Sequence, residues 1–168
     1  MNAKLKACVF VVLFSVIGGV MVYENFNLAT LPLVLFYVVL MINTYFSIEF
    51  FSKIIPSKRL DQKIIDLLLV LSYLALILSF GNEVWYLLFA IMLFVVATLK
   101  YVCLLGVVDL KILKKKLIVN IFAIVACILA LEGYLIGWGR VIMWTWALVF
   151  LFANVYLLII KPMYKFDK

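Results

Sequence analysis

Histidine does not occur in this chain. Its absence removes Ser–His and Cys–His dyads, histidine-ligated haem or metal, and the H-E-x-x-H zinc helix. Cysteine is scarce and scattered: Cys8, Cys103 and Cys127 each fall in a predicted membrane segment, and no two form a C-x-x-C pair. An odd, dispersed set suits neither a disulfide framework nor a zinc site, and buried Cys mostly behaves as a small hydrophobe. No G-x-x-x-x-G-K-[ST] loop is present to cradle a nucleotide, and no D-x-x-D run is present for metal-assisted phosphoryl transfer. Acidic residues number only eight against fifteen basic ones, and they are dispersed along the chain rather than paired in one motif. No cofactor or metal is expected, and enzyme activity is the least supported of the functional classes. An Asp66–Lys100 chemistry in a small intramembrane enzyme is the form it would take.

What the chain has in abundance is hydrocarbon. Of its 168 residues, 70% are hydrophobic, against roughly 45–50% in an ordinary soluble domain. A water-soluble fold of this size has too much surface for its volume to hide such a composition. The solvent implied is a bilayer, which a helix crosses with about 20 mostly apolar residues. Six helices are expected, over about 5–23, 30–51, 63–80, 84–105, 116–132 and 141–160. Each is apolar nearly all round, so length rather than period argues for helix over strand, and lipid admits only helices and closed barrels. Residues 1–168 thus read as a single transmembrane domain: an all-α, polytopic integral membrane protein built as a six-transmembrane-helix bundle. The N-terminal run, basic and then apolar from Ala7 to Val22, is read as a retained first helix. It is long for a signal peptide and no A-x-A site follows it.

Charge supplies an orientation. Fourteen of the fifteen basic residues lie in four clusters: Lys4 and Lys6; Lys53, Lys58, Arg59 and Lys63; Lys100, Lys111 and Lys114 to Lys116; and Lys161, Lys165 and Lys168. Each neighbouring pair of clusters encloses enough apolar chain to cross a membrane twice. Positive loops stay in the cytoplasm, which places both termini there. The opposite side receives Glu24, Glu83, Glu132 and Arg140, with Trp85, Trp138, Trp144 and Trp146 at or near the interface. The net charge of +7 is accounted for by anionic headgroups, and nucleic acid is not an expected partner. The expected partners are membrane lipids, with a membrane or cytoplasmic protein or a second copy of the chain as further candidates. Compact loops suggest the inner membrane of a prokaryote.

Turn chemistry supports the parsing. Asn25 and Asn27 follow the first helix, and Pro32 suits the first turn of the second. Gly81, Asn82 and Glu83 join the third and fourth helices so tightly that they must be antiparallel neighbours. Three glycines lie between Gly133 and Arg140. The segment 106–116 reads as a membrane-surface turn whose lysines face headgroups. Three hairpins of about 55 residues would make an internal repeat, but the matches (Thr44 with Thr98, Ile64 with Ile118, Asp66 with Asn120) are few.

Polar residues inside hydrocarbon are costly and need a partner or a use. They concentrate in the cytoplasmic half: Asn43, Ser47 and Glu49 on the second helix, Asp66 and Tyr73 on the third, Thr98 and Lys100 on the fourth, with Tyr101 beside them, Asn120 on the fifth and Asn154 on the sixth. If these faces converge, they form a cavity for a cation, a proton or a small polar solute. The competing reading is structural. Asn and Ser between membrane helices act as packing glue worth about 0.6 kcal/mol each, and Glu49, Asp66 and Lys100 can snorkel to headgroups. Asn43, Asp66 and Asn154 are expected to be the least able to reach water. Asn120, Ala123, Cys127 and Ala130 share one stripe, as do Ser15 and Gly19 with Gly18 beside them. Both stripes read as packing seams. Two functions follow: a transport-related component with a cytoplasm-facing polar cluster, or a non-catalytic scaffold or assembly subunit acting through helix contacts.

Overall fold

A computed structural model of the chain describes residues 2–54, 60–105 and 110–164, and among them the regular structure is entirely helical. α1 spans Ala3–Glu24, α2 Leu31–Phe51, α3 Leu60–Leu78, α4 Glu83–Val102, α5 Leu110–Gly133 and α6 Gly139–Val155. Wider π-type turns join α5 to α6 through Tyr134–Trp138 and extend α6 through Tyr156–Ile160. Six separate helices were expected, but the described residues form five continuous helical runs. The difference lies at the last turn, where α5 and α6 follow one another without an open loop and are divided only by a kink at Gly137, whose backbone is not helical. Four of the runs are long and apolar enough to cross a bilayer: Ala3–Glu24, Leu31–Phe51, Glu83–Val102 and the 50-residue run Lys111–Ile160. α3 is not among them because Asp61, Lys63 and Asp66 occupy its first turns.

The 50-residue run is folded in half. Lys116, near its start, lies 4.6 Å from the ring of Tyr164, just beyond its end, so the chain must reverse between them. The reversal occurs where Gly137 takes φ +97° and Gly139 φ +36°, a left-handed region that a Cβ strongly disfavours. α5 and α6 then lie side by side, and a Cβ on Gly133 would approach Ile142 to 2.8 Å.

α5 begins at Leu110 rather than near Lys116, so part of the segment read as a surface turn is helix (residues 106–109 lie outside the described set). Lysine is a good helix former, and Leu113 gives this turn a fully buried anchor. Two other turns are held by asparagine side chains. Asn27 Oδ1 accepts hydrogen bonds from the N–H groups of Ala29 (2.8 Å) and Thr30 (3.0 Å), and Pro32 stands in the first turn of α2. Asn82 caps α4, its Oδ1 accepting from the Trp85 N–H at 3.1 Å, which satisfies one of the amides a helix start leaves without an internal partner.

Neighbour packing closes a ring in the order α1, α2, α6, α5, α4, α3 and back to α1. Phe36 of α2 fills its interior, stacked on Trp146 at 4.1 Å between centroids and packed on Phe150 at 4.3 Å, with Tyr86 edge-on. Tyr86 donates to the Leu33 carbonyl at 3.2 Å, tying α4 to α2 across the ring. Trp146, expected near the interface, therefore sits in the core, because its ring completes this aromatic stack. Gly18 lets α1 lie close on α2. The Tyr37 ring would meet a Cβ there at 2.7 Å, and the Tyr37 hydroxyl donates to the Phe14 carbonyl at 2.8 Å.

Two substitutions check this framework by thermal unfolding in a mild detergent. Gly137→Ala is expected to cost about 1–2 kcal/mol through the left-handed backbone. Trp146→Ala is expected to cost about 3–5 kcal/mol through the hole it opens beside Phe36. A Gly137→Ala protein as stable as the parent would contradict the reversal at that residue.

Candidate functional site

One end of the ring gathers the start of α1, the end of α2, the start of α3, the end of α4 and the start of α5 around a cavity of about 480 Å³. Of the nine residues singled out from sequence, Asn43, Ser47, Asp66, Tyr73, Lys100 and Asn120 line it; Glu49, Thr98 and Asn154 do not. Each of the three outsiders is occupied locally. Glu49 pairs with Lys53 one turn on, at 2.9 Å. Thr98 Oγ1 donates to the Phe94 carbonyl at 2.7 Å, and Asn154 Nδ2 donates to the Phe150 carbonyl at 2.8 Å. Such back-bonding to the preceding turn keeps a short polar side chain on its own helix.

The lining residues divide into satisfied and unsatisfied groups. Thr44 donates to the Leu40 carbonyl and shares a hydrogen bond with the Tyr73 hydroxyl. Ser47 and the Tyr101 hydroxyl are 3.0 Å apart. Asn43 Oδ1 accepts from the Tyr164 hydroxyl at 2.8 Å. Tyr164 lies outside the helices, and burial holds its phenol well above the ordinary range, so it serves as a neutral donor. Asp66 accepts from Lys100 Nζ at 2.6 Å, and its carboxylate is 56% exposed. Asp66 was expected to be shielded from water; it stands instead at the lip, because it lies in the first turns of α3 and pairs there with Lys100 of α4.

The residue that sequence reading passed over is Lys116. It is 3% exposed, although its neighbours Lys114 and Lys115 are exposed. Its ammonium reaches Asn43 Oδ1 only at 3.5 Å and lies over the rings of Tyr164 (4.6 Å) and Tyr101 (5.7 Å). Aromatic faces attract a cation, but no carboxylate lies within ion-pair distance of it among the described residues. A signal for it existed: Lys116 precedes Asn120 by four residues and so extends the stripe of Asn120, Ala123, Cys127 and Ala130, all of which are buried.

Gln62 was also missed. It is 4% exposed, and among the described residues neither its amide nitrogen nor its amide oxygen has a hydrogen-bond partner; the Asn120 amide nitrogen, on a residue 5% exposed, has none either. Leaving a buried donor or acceptor unmet costs about 1–3 kcal/mol. Three such atoms beside one cavity are the mark of a space whose polarity is not consumed by the fold. Among the described residues no group of three His, Cys, Asp or Glu side chains is placed to hold a metal ion. Family models, curated proteins and solved structures were compared with the chain, and none matches it.

The cost of these unmet groups is measurable. Gln62→Leu and Lys116→Met each replace an uncompensated polar group by an apolar one of similar length. Each is expected to raise the unfolding midpoint of the ligand-free protein in detergent, with about 1 kcal/mol or more of added stability. A lowered midpoint in both would mean that the fold itself uses these groups.

Proposed function

We propose that this chain is a multi-pass membrane protein that crosses the bilayer six times, and that its cavity at the basic end binds a small solute or ion as part of a transport-related component. The observation that carries this reading is a cavity of about 480 Å³ lined by polar residues from five helices, with three buried amide atoms beside it left unpartnered. Packing glue would leave those atoms satisfied, because an idle donor in a dry interior is costly.

Orientation follows from the same end of the ring. Lys6, Lys63, Lys100 and Lys116 border the cavity, and basic ends favour the cytoplasm. The cavity therefore faces the cytoplasm in this reading, with Glu83 and Tyr134, 3.4 Å apart, on the far side. The prokaryotic inner membrane is the setting proposed from the short connections.

A second reading is supported by α1. Only 17% of its apolar window is buried within the chain, and Gly18, Gly19 and Ser15 border a mostly apolar groove of about 440 Å³ against α2. Such a face suits a scaffold that packs on another membrane helix.

Reporter fusions at the Glu83 turn and after Lys168 are expected on opposite sides of the membrane; the same compartment for both would overturn the threading. In proteoliposomes, Asn43→Leu is expected to reduce solute binding or flux at least about tenfold, the size of one buried polar contact. A chain purified in mild detergent as a monomer without a companion protein would remove the scaffold reading.

A further inference from the structure

We infer that the cavity takes an amphiphilic oxyanion: a phosphate or carboxylate head at its buried basic floor and a hydrocarbon body along its apolar wall. The inference rests on the cavity being a ligand site, as proposed above, and adds the charge and shape of what enters it.

Charge comes first. Among the described residues four lysines line the cavity, against the single carboxylate of Asp66. That carboxylate is already held by Lys100 and turned toward the lip. Glu49 is paired with Lys53, and neither Glu49 nor Asp61 lines the space. Lys116 is the deepest problem: an ammonium with three donors has, among the described residues, one long contact to Asn43 and two aromatic faces. A buried charge without a counter-charge is among the costliest arrangements in a protein. A cation would worsen it and a neutral solute would leave it; an anion resolves it.

Donors come second. The amide nitrogens of Gln62 and Asn120 are buried and unpartnered beside the same space. They supply N–H groups of the kind that bind oxyanions alongside a cation. The unpartnered Gln62 oxygen accepts from a hydroxyl, which a singly protonated phosphate head carries while still an anion.

Shape comes third. The volume of about 480 Å³ is within the range that houses drug-sized ligands and is far more than a bare oxyanion fills. Phe10, Leu40, Leu69, Val70, Leu93 and Phe94 line it as well, so most of the wall rewards hydrocarbon.

Labelled decyl phosphate, titrated into phosphatidylcholine nanodiscs carrying the full chain, tests the assignment against empty discs. Saturable binding is expected, weakened at least about tenfold by Lys116→Met and by Gln62→Leu, with circular dichroism and elution position unchanged in Gln62→Leu. Millimolar inorganic phosphate is expected not to compete. Competition by inorganic phosphate as strong as that by unlabelled decyl phosphate would overturn the apolar body and leave a free oxyanion site. Equal saturable binding of decyltrimethylammonium, or undiminished affinity in both variants, would overturn the anion while sparing the cavity as a binding site. No saturable binding by any of these probes would overturn both this assignment and the solute-binding reading beneath it.

Discussion

A bilayer interior offers no hydrogen-bond partner, so every backbone amide placed there must be closed within a helix and every polar side chain must find protein. The chain suits the first demand with long helical runs among its described residues, their wide turns lying at the α5–α6 junction and just after α6. It meets the second by pushing polarity toward one end of a ring. Thr98 and Asn154 bond to their own helices, and Thr44, Ser47 and Asn43 find tyrosines. What remains is a short set of groups that the fold leaves unmet, and these border a single space.

That remainder gives the cavity its character. Aromatic contacts soften the isolation of Lys116 without neutralising it, since a ring face carries only a partial negative charge. Gln62 and Asn120 add donors to the same region. Leucine at such positions would cost the fold less, and this unspent polarity is what the proposed binding role rests on. For the ligand we propose, the apolar remainder of the wall would be a second way to hold on, independent of charge.

Much of this architecture could be read from the residues. Apolar runs of bilayer length placed the helices, and Asn82 and Pro32 marked where two of them start. The stripe of Asn120, Ala123, Cys127 and Ala130 is buried as its spacing required. The facing of the other helices was not legible, because a segment apolar all round has no amphipathic face to orient it. For that reason Trp146 was placed at the interface rather than against Phe36, and Asp66 in the interior rather than at the lip. Lys116 was hidden by its company. Within a run of three lysines each reads as solvated, and only the helical register that starts at Leu110 separates the inward one from the two outward ones. The convergence of Gln62 with Asn43 depends on the order of helices around the ring, which no local pattern encodes.

Beyond α6, the Lys161 N–H donates to the Tyr156 carbonyl at 2.7 Å and the Met163 N–H to the Leu157 carbonyl at 2.9 Å, which turns the chain back to bring Tyr164 over Lys116. Because a ribosome delivers residues in order, all six helices are made before this aromatic cover exists. During biogenesis the ammonium of α5 is thus sheltered late, and the pocket acquires its finished form only when the segment after the sixth helix has emerged and folded back.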